Sequence, residues 1–286
     1  MTGRKILITG AHGMLGSSLV NLLPYEMVAF SSKELDVTNS EQCSNLIESE
    51  KPDIIIHTAA YTDVEGCETD PIKAYQVNTI GTQNLVNCCI DKKILFVYIS
   101  STGVYGTGKE KEPYSDFDKA EPTSIHHKSK YEAEKNVQNH LKRYLILRTG
   151  WLFGGEKEHN KNFVYKRYLE AKNSHEIFSD GTQIGNPTYI DDLVNQIEIL
   201  IEKEQFGTFN CVNKAVNVSR YDYVKKVVDY LGLNCSVKKA SSDEFKRIAK
   251  VSKNESAINY KLEILGINMM NDWDEALEKY LIKIEI

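Results

Sequence analysis

The chain has 286 residues, 26% of them charged and 41% hydrophobic, a composition that supports a large buried core. With 40 Asp and Glu against 35 Lys and Arg, its formal charge of -5 argues against a partner held by bulk positive charge, such as nucleic acid. No apolar stretch approaches the ~20 residues of a membrane span, so no membrane partner is expected. The segment from Met1 to Lys5 runs straight into an apolar run with no cleavable-leader pattern, and a cytoplasmic protein is expected. Six cysteines, at 43, 67, 88, 89, 211 and 235, form no CxxC pair and are expected as reduced thiols without a chemical role. The seven histidines show no metal-ligand spacing, so no metal is expected.

In chain order, residues 5–9 (KILIT) read as a strand, 14–23 as a helix with an apolar face and 27–30 as a second strand. A helix over 40–50 precedes a strand over 53–58 (DIIIHT). A long helix over 74–90 leads to a strand over 94–100 (ILFVYIS), then a helix over 129–140 and a strand over 144–148 (YLILR). Continuously apolar strands alternating with helices predict a doubly wound parallel α/β sheet covered on both faces. After residue 155 the rhythm changes. A polar loop (154–161), helices over 162–172, 191–202, 219–231 and 272–284, a glycine-punctuated stretch (180–186) and a strand over 206–212 predict a smaller C-terminal substrate-binding subdomain. The expected division is a dinucleotide-binding domain over 1–155, with 187–212 returning to it, and a substrate subdomain from 156–186 and 213–286.

The turn after the first strand reads Gly10-Ala11-His12-Gly13-Met14-Leu15-Gly16. Glycines at this spacing let the backbone turn and approach a pyrophosphate, while the helix N-terminus attracts the anion. This strand–turn–helix context predicts a Rossmann-type cofactor loop through Gly10, His12, Gly13, Met14, Leu15 and Gly16. The second strand ends in Ser31-Ser32-Lys33, with Asp36 and Val37 following. Two hydroxyls and an ammonium suit a ribose 2′-phosphate better than a 2′-hydroxyl, so NADP(H) is preferred and NAD(H) stays open.

The glycine loop, Thr58-Ala59-Ala60-Tyr61-Thr62, Val77-Asn78 with Gly81-Thr82, and Ser100-Ser101-Thr102-Gly103-Val104-Tyr105-Gly106 together resemble an extended short-chain dehydrogenase/reductase. Arg148-Thr149-Gly150-Trp151-Leu152-Phe153-Gly154, Asn162-Phe163-Val164, Gly185-Asn186-Pro187-Thr188, Asp191-Asp192-Leu193 and Gly207-Thr208-Phe209 narrow the resemblance to the dTDP-4-dehydrorhamnose reductase family, from about residue 4 to 232. The resemblance implies hydride transfer to the 4-keto carbon of a nucleotide-linked 6-deoxy sugar, in cell-surface polysaccharide biosynthesis. It places Ala59, Ala60, Tyr61 and Asn78 at the cofactor, Ser101 as the active-site hydroxyl and Lys130 as the active-site lysine. Thr102, Gly103, Tyr105, Trp151, Asn162 and Thr188 fall on the substrate side. The family's Arg-Pro loop is replaced by 247–253, where Arg247, Lys250 and Lys253 are the cations and Arg247 is the candidate for the sugar-nucleotide diphosphate. A homodimer is left open.

The family's catalytic Tyr-x-x-x-Lys motif is broken. With Ser129-Lys130 held in register, the Tyr position carries His126, followed by His127. A literal YxxxK at Tyr131–Lys135 lies five residues on, which rotates a helix by ~140° net and turns that tyrosine away from Lys130. Histidine can transfer protons near neutrality, but a neighbouring ammonium favours its neutral form. Two other readings therefore stand beside a 4-ketoreductase: a catalytically impaired, cofactor-binding regulatory subunit of the same fold, and a nucleotide-sugar epimerase or dehydratase.

Overall fold

Strand β1 (Lys5–Thr9) is buried on both faces, with Ile6 and Ile8 in one apolar cluster and Leu7 in another. The two-sided pattern is the signature of a parallel sheet clad by helices on both sides. The computed structural model describes residues 3–284, so the expected limits at residues 1 and 286 lie outside them. Helix α1 (Met14–Leu22), β2 (Glu26–Phe30), α2 (Ser40–Glu50) and β3 (Ile54–His57) follow. Next come α3 (Val64–Thr69), α4 (Pro71–Tyr75), α5 (Gly81–Cys89), β4 (Leu95–Ser101), α6 (Ile125–His140) and β5 (Tyr144–Thr149). The second half adds β6 (Trp151–Phe153), α7 (Phe163–Lys172), β7 (Glu176–Asp180), β8 (Pro187–Tyr189) and α8 (Ile190–Glu202). It ends with β9 (Gly207–Cys211), α9 (Arg220–Tyr230), β10 (Ser236–Ala240), α10 (Tyr260–Ile264) and α11 (Trp273–Lys283).

The main sheet runs β2-β1-β3-β4-β5-β9, every neighbouring pair parallel. The strand order reverses between β1 and β3, which opens a crevice at their carboxyl ends. Strand β9 is the return of the chain to this sheet from the C-terminal half. Four short strands were not visible in the sequence pattern. They pair in parallel as β6 with β8 and β7 with β10, in two separate ribbons. Strands of three residues, and a β10 whose Ser236, Lys238 and Lys239 are exposed, carry too little apolar signal to read.

Helices α3 and α10 fall where the sequence reading expects none, and two of the expected helices differ in their course. The helix expected over 74–90 is interrupted by a π-type turn over Gln76–Ile80, which swings the Asn78 side chain onto the backbone of Tyr61. The helix expected from residue 129 begins at Ile125, because the Ser124 side chain accepts the His127 N–H and caps it. His126, His127 and Lys130 therefore stand on one helix.

Helix α6 buries an unusually polar face: His126, His127, Ser129, Lys130 and Glu134. Glu134 is fully buried and anchors it. Its carboxylate accepts the Ser100 hydroxyl at 2.5 Å and the Arg148 guanidinium, with Nη2 at 2.6 Å and Nε at 3.1 Å. These contacts tie α6 to β4 and β5. Removing one partner strands a buried charge, so Glu134→Ala should cost about 3–5 kcal/mol in urea unfolding. A loss below ~1 kcal/mol, the range of exposed pairs, would contradict this role.

Candidate active site

A cleft of about 1180 Å³ opens at the carboxyl ends of β1, β3, β4 and β5. At its floor, Gly10 has φ +72°, and a Cβ there would lie 2.8 Å from the Ala59 nitrogen. A Cβ on Gly16 would collide with the Gly10 carbonyl, so α1 can approach the loop only because residue 16 is glycine. Gly13 caps α1 without a side chain, leaving its first N–H groups for a ligand. Gly10, His12, Gly13, Met14, Leu15 and Gly16 all line the cleft, as do Ala59, Ala60 and Tyr61. An uncapped helix end facing a glycine cradle fits a dinucleotide pyrophosphate.

Ser31, Ser32, Asp36 and Val37 line the far end of the cleft. The Ser31 hydroxyl and N–H both donate to Glu34 at 2.8 Å, and these bonds hold the Glu34 carboxyl below its usual range. Lys33 does not line the cleft; it is exposed where the chain turns after β2, and its backbone bonds the Ser31 hydroxyl instead. Asn78 does not line it either. It is buried behind Tyr61, accepting the Tyr61 N–H at 2.7 Å and donating to the Tyr61 carbonyl and to Ser129. Its place is to fix the chain that borders the cleft.

Ser101, His126 and Lys130 all line the same cleft. Burial pulls Lys130 down to about 8, and its ammonium makes no hydrogen bond among the described residues, resting 4.8 Å from the Tyr98 ring centroid. An unpaired buried ammonium beside a nucleotide cradle fits ribose hydroxyls. The His126 Nδ1 lies 3.2 Å from the Tyr61 carbonyl. A carbonyl only accepts, so Nδ1 carries the proton and the neutral ring offers Nε2 as a bare acceptor. Burial, with the Lys130 ammonium and the adjacent His127 ring opposing a second positive charge, holds His126 well below the ordinary histidine value. The second YxxxK, Tyr131 with Lys135, stays outside the cleft, its lysine paired with Glu132.

Much of the remaining wall of the cleft is not marked in the sequence. The Trp151 indole donates to Glu255 at 2.7 Å and lies 3.5 Å under the Arg220 guanidinium. Arg220 has no hydrogen bond or ion pair from its side chain among the described residues, and burial lowers it to about 10. Arg247 also reaches the cleft, beside Gln183 at 3.4 Å and Asp180 at 4.0 Å, whereas Lys250 and Lys253 do not. Five expected substrate residues are displaced. Tyr105 is fully buried, stacked 4.7 Å from Tyr114 and bonded to Asn210 at 2.8 Å. Thr102 is buried in the turn that follows β4. Gly103 leaves room for the His127 ring, which a Cβ would strike. Asn162 caps α7 and donates to the Tyr280 hydroxyl at 2.6 Å. Thr188 is buried on β8 and donates to the Asn186 carbonyl. Each is part of the frame, not the wall. Among the described residues no cluster of His, Cys, Asp or Glu can hold a metal, and no helix is long and apolar enough to cross a membrane.

Lys130 opposes folding while serving the cleft. Its folded pKa lies below the unfolded value, so the charged lysine carries a penalty that is full below about pH 8 and relieved as pH rises past it. Lys130→Met should therefore stabilise the cofactor-free protein at pH 7 by up to ~3 kcal/mol while weakening dinucleotide binding ~10-fold or more. A lowered melting temperature, or unchanged binding, would contradict this assignment.

Residues 4–286 match the family model described as RmlD substrate binding domain. A dTDP-4-dehydrorhamnose reductase of Aggregatibacter actinomycetemcomitans is 34% identical over 235 residues, covering 79% of this chain and 78% of that one. The spore coat polysaccharide biosynthesis protein SpsK of Bacillus subtilis is 29% identical over 280 residues, 97% of this chain and 96% of that one. The structure of dTDP-4-dehydrorhamnose reductase from Bacillus anthracis in complex with NADP superposes with TM-score 0.94 at 33% identity, covering 99% of this chain and 100% of that one. The chain belongs to the RmlD substrate binding domain family, the extended short-chain dehydrogenase/reductases of the dTDP-4-dehydrorhamnose reductase type.

Proposed function

We propose that the protein is an NADP(H)-dependent reductase of the 4-keto group of a nucleotide-linked 6-deoxyhexose, serving cell-surface polysaccharide biosynthesis in the cytoplasm. One observation carries the reading: a single cleft joins the glycine cradle and α1 N-terminus, the unpaired Lys130 ammonium, the Ser101 hydroxyl and the Trp151–Arg220 wall. The printed names of the relatives, a reductase acting on a dTDP-linked keto sugar, a polysaccharide biosynthesis protein and a structure holding NADP, support the same substrate class, pathway and cofactor.

Bound NADPH supplies the hydride. With the cofactor bound, Lys130 would donate to the nicotinamide ribose hydroxyls. Ser101 donates to the ketone oxygen and polarises the carbonyl. Arg220 and Arg247 meet the diphosphate, and the Trp151 ring, stacked against Arg220, holds that guanidinium in place. His126 takes the position of the family's proton-donating tyrosine. In its neutral tautomer it presents no proton there, so it serves as acid only when charged. Its pKa is lowered, so the imidazolium fraction falls tenfold per pH unit across the neutral range. The scarcity of this protonated form near neutral pH is the observation that favours the second reading, a subunit that binds cofactor and works through a partner protein.

Following NADPH oxidation with nucleotide-linked 4-keto-6-deoxy sugars separates the two. The catalytic reading predicts turnover that rises as pH falls below 7. It also predicts that His126→Tyr raises the rate at pH 7 by ~10-fold or more, within the ~10²–10⁴ that a positioned acid supplies. Tight NADPH binding with no turnover by wild type or His126→Tyr at any pH would move the subunit reading to the front.

A further inference from the structure

In the sequence His127 stands out only as the neighbour of His126. In the structure it is buried on the inner face of α6, and its two ring nitrogens meet two serines. Its Nδ1 lies 3.0 Å from the Ser124 hydroxyl and its Nε2 lies 3.4 Å from the Ser101 hydroxyl. The Ser124 oxygen already accepts the His127 backbone N–H at 3.3 Å. Ser124 is fully buried, and among the described residues its hydroxyl proton has one acceptor within reach, His127 Nδ1. A buried donor left without a partner is costly, so Ser124 gives its proton to Nδ1 and the ring proton resides on Nε2.

The consequence falls on Ser101. Its oxygen accepts the Gly103 N–H at 3.2 Å and faces the His127 Nε2–H from the other side. A hydroxyl has two acceptor sites and one proton. With both acceptor sites taken, the single proton points away from the protein frame and into the cleft. The 3.4 Å separation is long for such a bond, as contacts at empty catalytic sites often are before ligand tightens them.

We propose that His127 is a positioning residue: with Ser124 behind it, it fixes Ser101 as a hydrogen-bond donor into the cleft, aimed at the oxygen of a bound ketone. Burial keeps the ring neutral, consistent with a fixed tautomer. The glycine at 103 is part of the device, since a side chain there would occupy the space of the ring. The catalytic consequence rests on the ketoreductase reading above, whereas the tautomer does not.

The test therefore has two arms. In ¹⁵N NMR of the ligand-free wild type, His127 should show a protonated Nε2 and a bare Nδ1, with the Nε2–H signal moved by Ser101→Ala. The opposite tautomer, or indifference to Ser101→Ala, overturns the proposal whether or not the protein turns over a sugar. In the kinetic arm, His127→Phe keeps the ring beside Gly103 but removes the N–H. It should lower kcat ~10-fold or more with NADPH affinity unchanged, below the ~10²–10³ lost when such a donor is deleted outright. His127→Gln, which restores an N–H, should recover to within ~3-fold, and His127→Phe should add nothing in a Ser101→Ala background. Equal losses from His127→Phe in both backgrounds would make the residue merely structural and overturn the proposal.

Discussion

The buried carboxylate of Glu134 is the constraint on which the site depends. It binds Ser100 on β4 and Arg148 on β5 from a position on α6 where no water reaches. Those bonds set the depth and rotation of the helix against the sheet. One turn earlier on the same face stands Lys130, and two turns earlier stand His126 and His127. Next to Ser100 in the chain stands Ser101. A single ion pair thus fixes the distance between the hydroxyl expected to hold the ketone and the lysine expected to hold the cofactor. Ser101 adds only the cap of the turn that follows β4, and Lys130 opposes the fold.

Desolvation then decides the chemistry of that face. Lys130, His126 and His127 are each driven toward the neutral form, chiefly by burial. The lysine, lowered only to about 8, stays largely charged at neutral pH, because Glu134 opposes the burial penalty. The histidines lose their charge. A neutral imidazole is defined by which nitrogen holds the proton, and here the neighbours choose. The Tyr61 carbonyl draws the His126 proton to Nδ1, away from its free nitrogen. The Ser124 hydroxyl leaves the His127 proton on Nε2, toward Ser101. Two adjacent residues of the same type are given opposite tautomers and therefore different work.

Much of this was legible in the sequence. The glycine loop could be read because its spacing is a local backbone requirement, and the structure places all six of its expected residues along the cleft. The parallel sheet could be read because strands buried on both faces are continuously apolar. What escaped depends on residues brought together from distant segments. Arg220 opens α9, Glu255 lies in an extended stretch and Asp180 ends β7, and nothing local marks them as lining one cleft with Trp151. Errors of the other kind came from blocks that resemble the family but serve packing. Tyr105 and Asn162 look like site residues because they sit beside them in the chain, yet one stacks in the core and the other caps a helix. Lys33 illustrates the limit of reading charge from sequence, since a side chain one residue past a strand can turn either way.

The central claim is that this cleft brings a hydride to the C4 carbon of a nucleotide-linked keto sugar. The most direct measurement is to incubate the protein with NADPH deuterated at the transferring position and a 4-keto-6-deoxy nucleotide sugar, and to locate the label in the product by NMR. The account predicts one deuterium, bonded to C4 of the reduced sugar. Recovery of the unreduced sugar, or of a product labelled at any other carbon, would contradict it.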